Sequence, residues 1–238
     1  MGQFYNPVIS NLDNLILNID AANIRSYSGS GNTCYDISRV GSIGSLTSVT
    51  FAGSGGTAAF AFNGTTSLIN IGSSNSRNQT TSWTLESWIK PTSAGENGSG
   101  RIYQHSTGSV SGFICSLDNS LGTNGIKLNT YAVAGFTVRV GNCITLDTWQ
   151  QVVWAFSPGS VTFYVNATAI GTSSVTSPAS YTSTDYIGND SAGANTFDGS
   201  ISIVRLYGNT LTADDIKNNY DSFKGRYVTD AGGLQVPQ

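Results

Sequence analysis

Residues able to do acid–base or nucleophilic work are few and far apart in this chain. Fourteen Asp and Glu stand among 238 residues, only two of them glutamates (Glu86 and Glu96), beside a single histidine, His105. Glycoside hydrolysis needs two carboxylates flanking the scissile bond, and on a strand a two-residue spacing is what aims both at one face. Glu86 has no second acid two residues away, and Glu96 sits in the Gly/Ser-rich run 93–100. Any Ser–His–Asp or Cys–His machinery would have to use His105, and no serine lies in a G-x-S-x-G turn. One histidine also excludes a three-His metal set, and no His/Cys set is expected. The expectation is no catalytic residues, with Glu86 at a polar site on a sandwich face or edge and His105 held in a structural hydrogen bond.

Composition narrows the partners. Charged residues make up 11 %, against about 25 % in average globular proteins, while 39 % are hydrophobic and 11 % aromatic. That balance does not fit disorder and gives a folded chain a neutral, hydroxyl-rich surface, long enough to bury a core without staples. The net charge is −3, and Arg25, Arg39, Arg77, Lys90, Arg101, Lys127, Arg139 and Arg205 are scattered singly. Phosphate recognition needs them clustered, so no nucleic-acid partner is expected. Cys34, Cys115 and Cys143 lack C-x-x-C spacing. Buried free thiols are the expectation, and a Cys115–Cys143 disulfide stays open as the alternative. No basic and apolar leader opens the chain, position 6 is Asn6 where a myristoylation signal wants Ser or Thr, and no apolar run reaches membrane-spanning length. The chain is expected to be made in a cytoplasm without an export signal or membrane insertion.

The elements that must position these residues are strands. Residues 15–20 are continuously apolar enough for a buried strand. Residues 41–57 read as a long loop or weak edge strands, and 58–62 and 67–71 flank Asn63-Gly64, a hairpin signal. From 83 to 90, Trp83, Leu85 and Ser87 alternate with Thr84, Glu86, Trp88 and Lys90, and Pro91 ends the run. Short strands follow at 101–105, 111–117, 125–131 and 136–140, then a hairpin of 149–156 and 161–165 about Pro158-Gly159. One helix is predicted over 212–220, capped by Thr212, with Asp214 and Asp215 in its first turn and Ile216 and Tyr220 on its buried edge.

Four blocks carry a family resemblance: Phe62-Asn63-Gly64 with 67–72, then 83–91, 149–165 and 197–220. Their order and spacing resemble a laminin-G-like or pentraxin-like domain of the concanavalin A-like lectin/glucanase superfamily. The resemblance implies an all-β fold, a two-sheet antiparallel jelly-roll sandwich with one short C-terminal helix. Residues 15–38, with Leu15, Leu17, Asp20, Asn23, Tyr27, Thr33 and Asp36, resemble a leader seen before such sandwiches in tailed-phage virion proteins. Cys34 stands where that leader has Trp, and Asn166-Ala167 where the family has Asn-Gly, which suggests a different turn. The expected organisation is a leader over 1–40 packed on or extending from the sandwich, the sandwich over 41–227, and an arm over 228–238.

The superfamily's hydrolases place their acids as E-x-D-x-E, a motif missing here. The resemblance therefore implies a non-enzymatic virion structural protein of a tailed phage, a capsid decoration or tail/fibre component touching other virion proteins and copies of itself. The alternative is a lectin or adhesin for host-surface glycans. Such domains hold Ca²⁺ on the sandwich rim through Asp and Asn oxygens, which makes Asp185, Asn189, Asp190, Asn195 and Asp198 candidate ligands; the same residue types also make turns. Glycans stack on exposed aromatics, and Tyr103, Tyr131, Tyr181 and Tyr186 are the candidates. Trp83, Trp88, Trp149 and Trp154 are expected in the core.

Overall fold

Period-two segments such as 83–91 can bury both faces only if layers cover them on either side, and that is what the chain builds. A computed structural model describes residues 8–106, 110–132, 135–182, 184–190 and 192–227. In chain order the strands are β1 (Leu15–Asp20), β2 (Thr33–Tyr35), β3 (Ile43–Thr47), β4 (Thr50–Ala52), β5 (Ala59–Asn63), β6 (Leu68–Asn70), β7 (Trp83–Pro91) and β8 (Arg101–Ser106). They continue as β9 (Gly112–Asp118), β10 (Gly125–Tyr131), β11 (Gly135–Val140), β12 (Gln150–Ser157), β13 (Ser160–Val165), β14 (Thr168–Ser174), β15 (Tyr186–Ile187) and β16 (Asp198–Tyr207), before α1 (Ala213–Phe223).

Sheet A runs β14-β13-β12-β7-β16-β5-β4, and sheet B runs β11-β10-β9-β8-β15-β6-β3-β2, both antiparallel. The ten-residue β16 lies along β7 on one side; on the other its first half pairs with β5 and its second half with β1. The segment 15–38 thus contributes β1 to sheet A and β2 to sheet B. The arm over 228–238 and the N-terminal residues 1–7 lie outside the described residues.

Between the sheets, Trp83 of β7 stacks on Phe113 of β9 at 4.0 Å and on Phe156 of β12 at 5.1 Å. Trp154 donates its indole N–H to the Lys127 carbonyl of the opposite sheet at 3.1 Å. The outer face of sheet A is covered by α1: Leu15, Val153, Tyr207, Leu211 and Ile216 form one apolar cluster, and Trp88, Ile203 and Phe223 another. The helix begins with a full capping box, Thr212 and Asp215 bonding each other's backbone N–H. Ile216 is buried as expected and Tyr220 is half-buried, but the helix also buries Asn219 and Phe223.

Two expectations about turns fail. Asn63-Gly64 is not a hairpin: β5 joins sheet A and β6 joins sheet B, so the turn is a corner between layers. The Asn63 side chain builds it, its Oδ1 accepting from the N–H of Thr65, Thr66 and Ser67 at 2.9–3.1 Å. A local turn signal sets the reversal and carries no information about which sheet the next strand meets. Nor does Asn166-Ala167 change the turn, because both residues keep positive φ (49° and 62°) between β13 and β14, the signature of a two-residue I′ hairpin. All three cysteines are free thiols. Cys34 fills the space over Gly44, where an added Cβ would come within 2.5 Å of its Sγ.

Candidate functional site

Three polar assemblies and one rim loop hold the candidate residues. The first is buried at the edge of the core. Asp185, just before β15, is fully buried; its carboxylate accepts from Arg77 Nε, from Tyr103 Oη at 3.1 Å, and meets His105 Nδ1 at 2.6 Å. Arg77 also donates to Ser42 Oγ at 2.6 Å and to the Gly72 carbonyl at 2.8 Å. Burial first, and then the negative charge of Asp185, push the Tyr103 hydroxyl well above its ordinary pKa, so it stays a donor. Tyr181, 6 % exposed, sets its ring edge-on to His105 at 4.8 Å and donates its hydroxyl to the Thr184 carbonyl. Tyr103 and Tyr181 are therefore core residues and not exposed stacking platforms, and Asp185 is a buried counter-ion and not a rim ligand. Asp185 is paired with Arg77, 108 residues away in sequence, and Tyr103 and His105 close on the same carboxylate.

Of the remaining rim candidates, Asn189, Asp190 and Asn195 bond one another and Asp198 stands apart. Asn189 is buried, its Oδ1 accepting from the Asp190 and Asn195 N–H groups and its Nδ2 bonding Thr196 Oγ1 at 2.7 Å. Asp190 accepts from the N–H of Ala192 and Ala194 at 2.9 and 3.0 Å and from the Asn195 amide at 2.6 Å. Asp198 accepts from Ser93 Oγ at 2.7 Å. The Asx residues here build a loop from their own side chains. Among the described residues, no group of three or more His, Cys, Asp or Glu is placed to hold a metal ion.

The second assembly lies between sheet A and α1. Glu86, fully buried, accepts from Gln151 Nε2 at 3.0 Å, Arg205 at 3.4 Å, Tyr207 Oη at 3.3 Å and Asn219 Nδ2 at 2.8 Å. The Arg205 guanidinium lies 4.0 Å over the Phe223 ring. Every donor needed by the carboxylate comes from the protein, and the helix shuts out solvent. Glu96 is likewise committed, its Oε2 accepting from the Thr196 N–H and hydroxyl at 3.1 Å. Glu86 is closed to solvent, and Glu96 is half-buried with one carboxylate oxygen bonded.

The third assembly is the outer face of sheet B, where sequence reasoning found only part of the set. Leu128 and Ile126 point into the core, so Lys127, Asn129 and Tyr131 point outward. Cross-strand register adds Arg101, Ser116 and Arg139 beside Lys127, and Tyr186, Gln104 and Ile114 beside Asn129. Asp118 pairs with Lys127 at 3.3 Å and with Arg139 at 4.0 Å. Nine buried side-chain polar atoms among the described residues have no partner, and four of them, Arg101 Nε, Gln104 Oε1, Ser116 Oγ and Asn129 Oδ1, belong to this one face. Leaving such an atom unpaired costs about 1–3 kcal/mol; these four atoms are themselves closed to solvent, while the side chains of Arg101, Lys127 and Asn129 stay partly exposed on the same face. Tyr131 and Tyr186 are half-buried on it. These two candidate tyrosines keep a surface position; Arg101, Gln104, Ser116 and Asn129 were missed because single polar residues on alternating strands carry no sequence signal.

The family described as the concanavalin A-like lectin/glucanases superfamily matches residues 63–217. No curated protein sequence matches the chain. Among solved structures, the binding domain of Paraclostridial Mosquitocidal Protein 1 superposes with a TM-score of 0.68 at 12 % identity, covering 89 % of this chain and 53 % of that one. The binding domain of botulinum neurotoxin serotype D gives 0.67 at 14 % identity, covering 88 % and 52 %. Domain 4 of AbnA, an extracellular GH43 arabinanase from Geobacillus stearothermophilus, in complex with arabinotriose, gives 0.59 at 16 % identity, covering 87 % and 98 %. The chain thus spans about half the length of the two toxin binding domains, and at these identities the shared feature is the fold.

Proposed function

The chain belongs to the concanavalin A-like lectin/glucanase superfamily, and from that premise we propose that it is a non-enzymatic binding module whose working surface is the outer face of sheet B and whose ligand is a glycan. The observation that carries this reading is the partly exposed set on that face, Tyr131 and Tyr186 with Arg101, Lys127 and Asn129. Sugar hydroxyls donate and accept in turn and satisfy an amide oxygen, a hydroxyl and a guanidinium together, while the tyrosine rings offer apolar contact. The arabinanase domain with its arabinotriose is a precedent for sugar on this fold. The non-enzymatic half of the proposal rests on Glu86, buried and fully hydrogen-bonded inside the protein, and on Glu96, whose Oε2 is tied to Thr196. A glycan array, run with and without a chelator, is the test. Bound glycans should be lost from Tyr131→Ala and Asn129→Ala proteins that melt like the parent; an array with no hits sinks the reading.

A second reading concerns where the module works. The N-terminal segment 15–38 resembles the leader of tailed-phage virion proteins, and its strands are woven into both sheets. That supports a capsid-decoration or tail/fibre component in contact with other virion proteins and copies of itself, with no nucleic-acid partner at a net charge of −3. Both roles fit one protein, an adhesin carried on a particle. Mass spectrometry of purified particles tests it, and absence of the protein from them refutes it.

A further inference from the structure

Three of the four tryptophans, Trp83, Trp88 and Trp154, have no exposed surface. Trp149, just before β12, departs from the expectation of a core position: it is half-buried and lines an open cleft of about 200 Å³. Opposite it the cleft is walled by Ala52, Gly53 and Thr57, and its floor includes Lys90 of β7 and Ser200 of β16. Lys90 and Ser200 are register partners, on the sheet A face turned away from sheet B. The indole is braced from behind. Tyr227 lies 4.8 Å from it and also stacks on Trp88 at 4.5 Å, its hydroxyl donating to Ser202 Oγ at 2.8 Å. Neither the Lys90 ammonium nor the Ser200 hydroxyl has a hydrogen-bond or ion-pair partner among the described residues.

A rigidly held indole with open surface favours the C–H face of a sugar ring. An unpaired ammonium beside it favours a carboxylate, and the hydroxyls of Ser200 and Thr57 can serve ring hydroxyls. The volume lies below the roughly 300–1,000 Å³ of sites that enclose drug-sized ligands, room for one ring and not for a chain. We propose that this cleft binds a single carboxylate-bearing sugar residue, its ring against Trp149 and its carboxylate on Lys90. The site is independent of the sheet B face, which lies on the opposite side of the sandwich.

Because the other three indoles are buried, a ligand-induced change in tryptophan fluorescence reports on Trp149. The whole chain is titrated with methyl β-glucuronide, with the methyl glycoside of N-acetylneuraminic acid, and with neutral methyl β-glucoside. The expected result is a saturable change with at least one acid at roughly millimolar concentration. Affinity should be about tenfold weaker or worse for the neutral glucoside and for Lys90→Gln, and retained in Lys90→Arg. The two acids distinguish a uronate from a sialate. Lys90 is half-exposed, so Lys90→Gln should melt like the parent; amide shifts of Gly53 and Ala59 in NMR give a second readout that needs no fluorescence. No saturable response to either acid, or an equal response to the neutral sugar, overturns the proposal. A response abolished by Asn129→Ala would also overturn it by moving the site to sheet B.

Discussion

At the scale of single residues, two guanidiniums decide what the acids do. Arg77 and Arg205 have no exposed surface, and each is matched to one buried carboxylate, Asp185 and Glu86. Removing one partner of such a pair leaves the other charge buried and unpaired, a loss of about 3–5 kcal/mol. Glu86→Ala and Asp185→Ala should each lower stability by that amount in chemical denaturation, and an unchanged midpoint in either would contradict the networks described. Asp190 adds a pH dependence. Burial pushes its carboxyl up, but the Ala194 N–H, the Asn195 amide, the nearby Arg101 charge and the Ala192 N–H outweigh it and hold it below the ordinary value. A carboxyl depressed in the folded state contributes stability above its unfolded pKa, near ~3.9, and that contribution disappears as pH falls through the lower folded value. Melting temperature followed downward from about pH 5 should fall less steeply for Asp190→Asn than for the parent. The thiols are protected by the same physics: burial pushes Cys34 up to about 12 and Cys115 well above its ordinary value. A thiol reagent at neutral pH should modify neither until the protein is unfolded.

At the scale of elements, the β13–β14 turn carries a cost that can be removed. Ala167 holds φ at 62°, in the left-handed region that disfavours any residue with a Cβ by about 1–2 kcal/mol. Glycine there loses more freedom on folding, which offsets part of the gain. Ala167→Gly should therefore stabilise by about 1 kcal/mol, read as a raised denaturation midpoint; a lowered midpoint would show the turn is not strained. At α1, Thr212→Ala removes the capping box at a cost of about 1 kcal/mol. The helix was readable because a cap, first-turn acids and an apolar i,i+4 pair are all local. Its burial of Asn219 was not, since that side chain meets Glu86, 133 residues earlier, and Ser10, 209 residues earlier.

At the scale of the whole molecule, the two sheets are tied by aromatic stacking through Trp83 and by the Trp154 indole bond across the core. Strand alternation, the end of β7 at Pro91, the helix cap and the lack of paired acids could all be read from residue order, because each depends on neighbours within a few positions. The face taken by the second half of β16 could not. The register shift between Ile201 and Ile203 turns Arg205 and Tyr207 outward beneath α1, where unbroken alternation from Ile201 would have pointed both into the core. A one-residue slip reverses every following side chain, and only contact with β7, β1 and the helix selects it. The same holds for the corner at Asn63 and for the sheet B face, assembled from single residues on β8, β9, β10 and β15. Local chemistry specified strands, turns and caps; which strand meets which, and on what side, was decided by packing between segments more than a hundred residues apart.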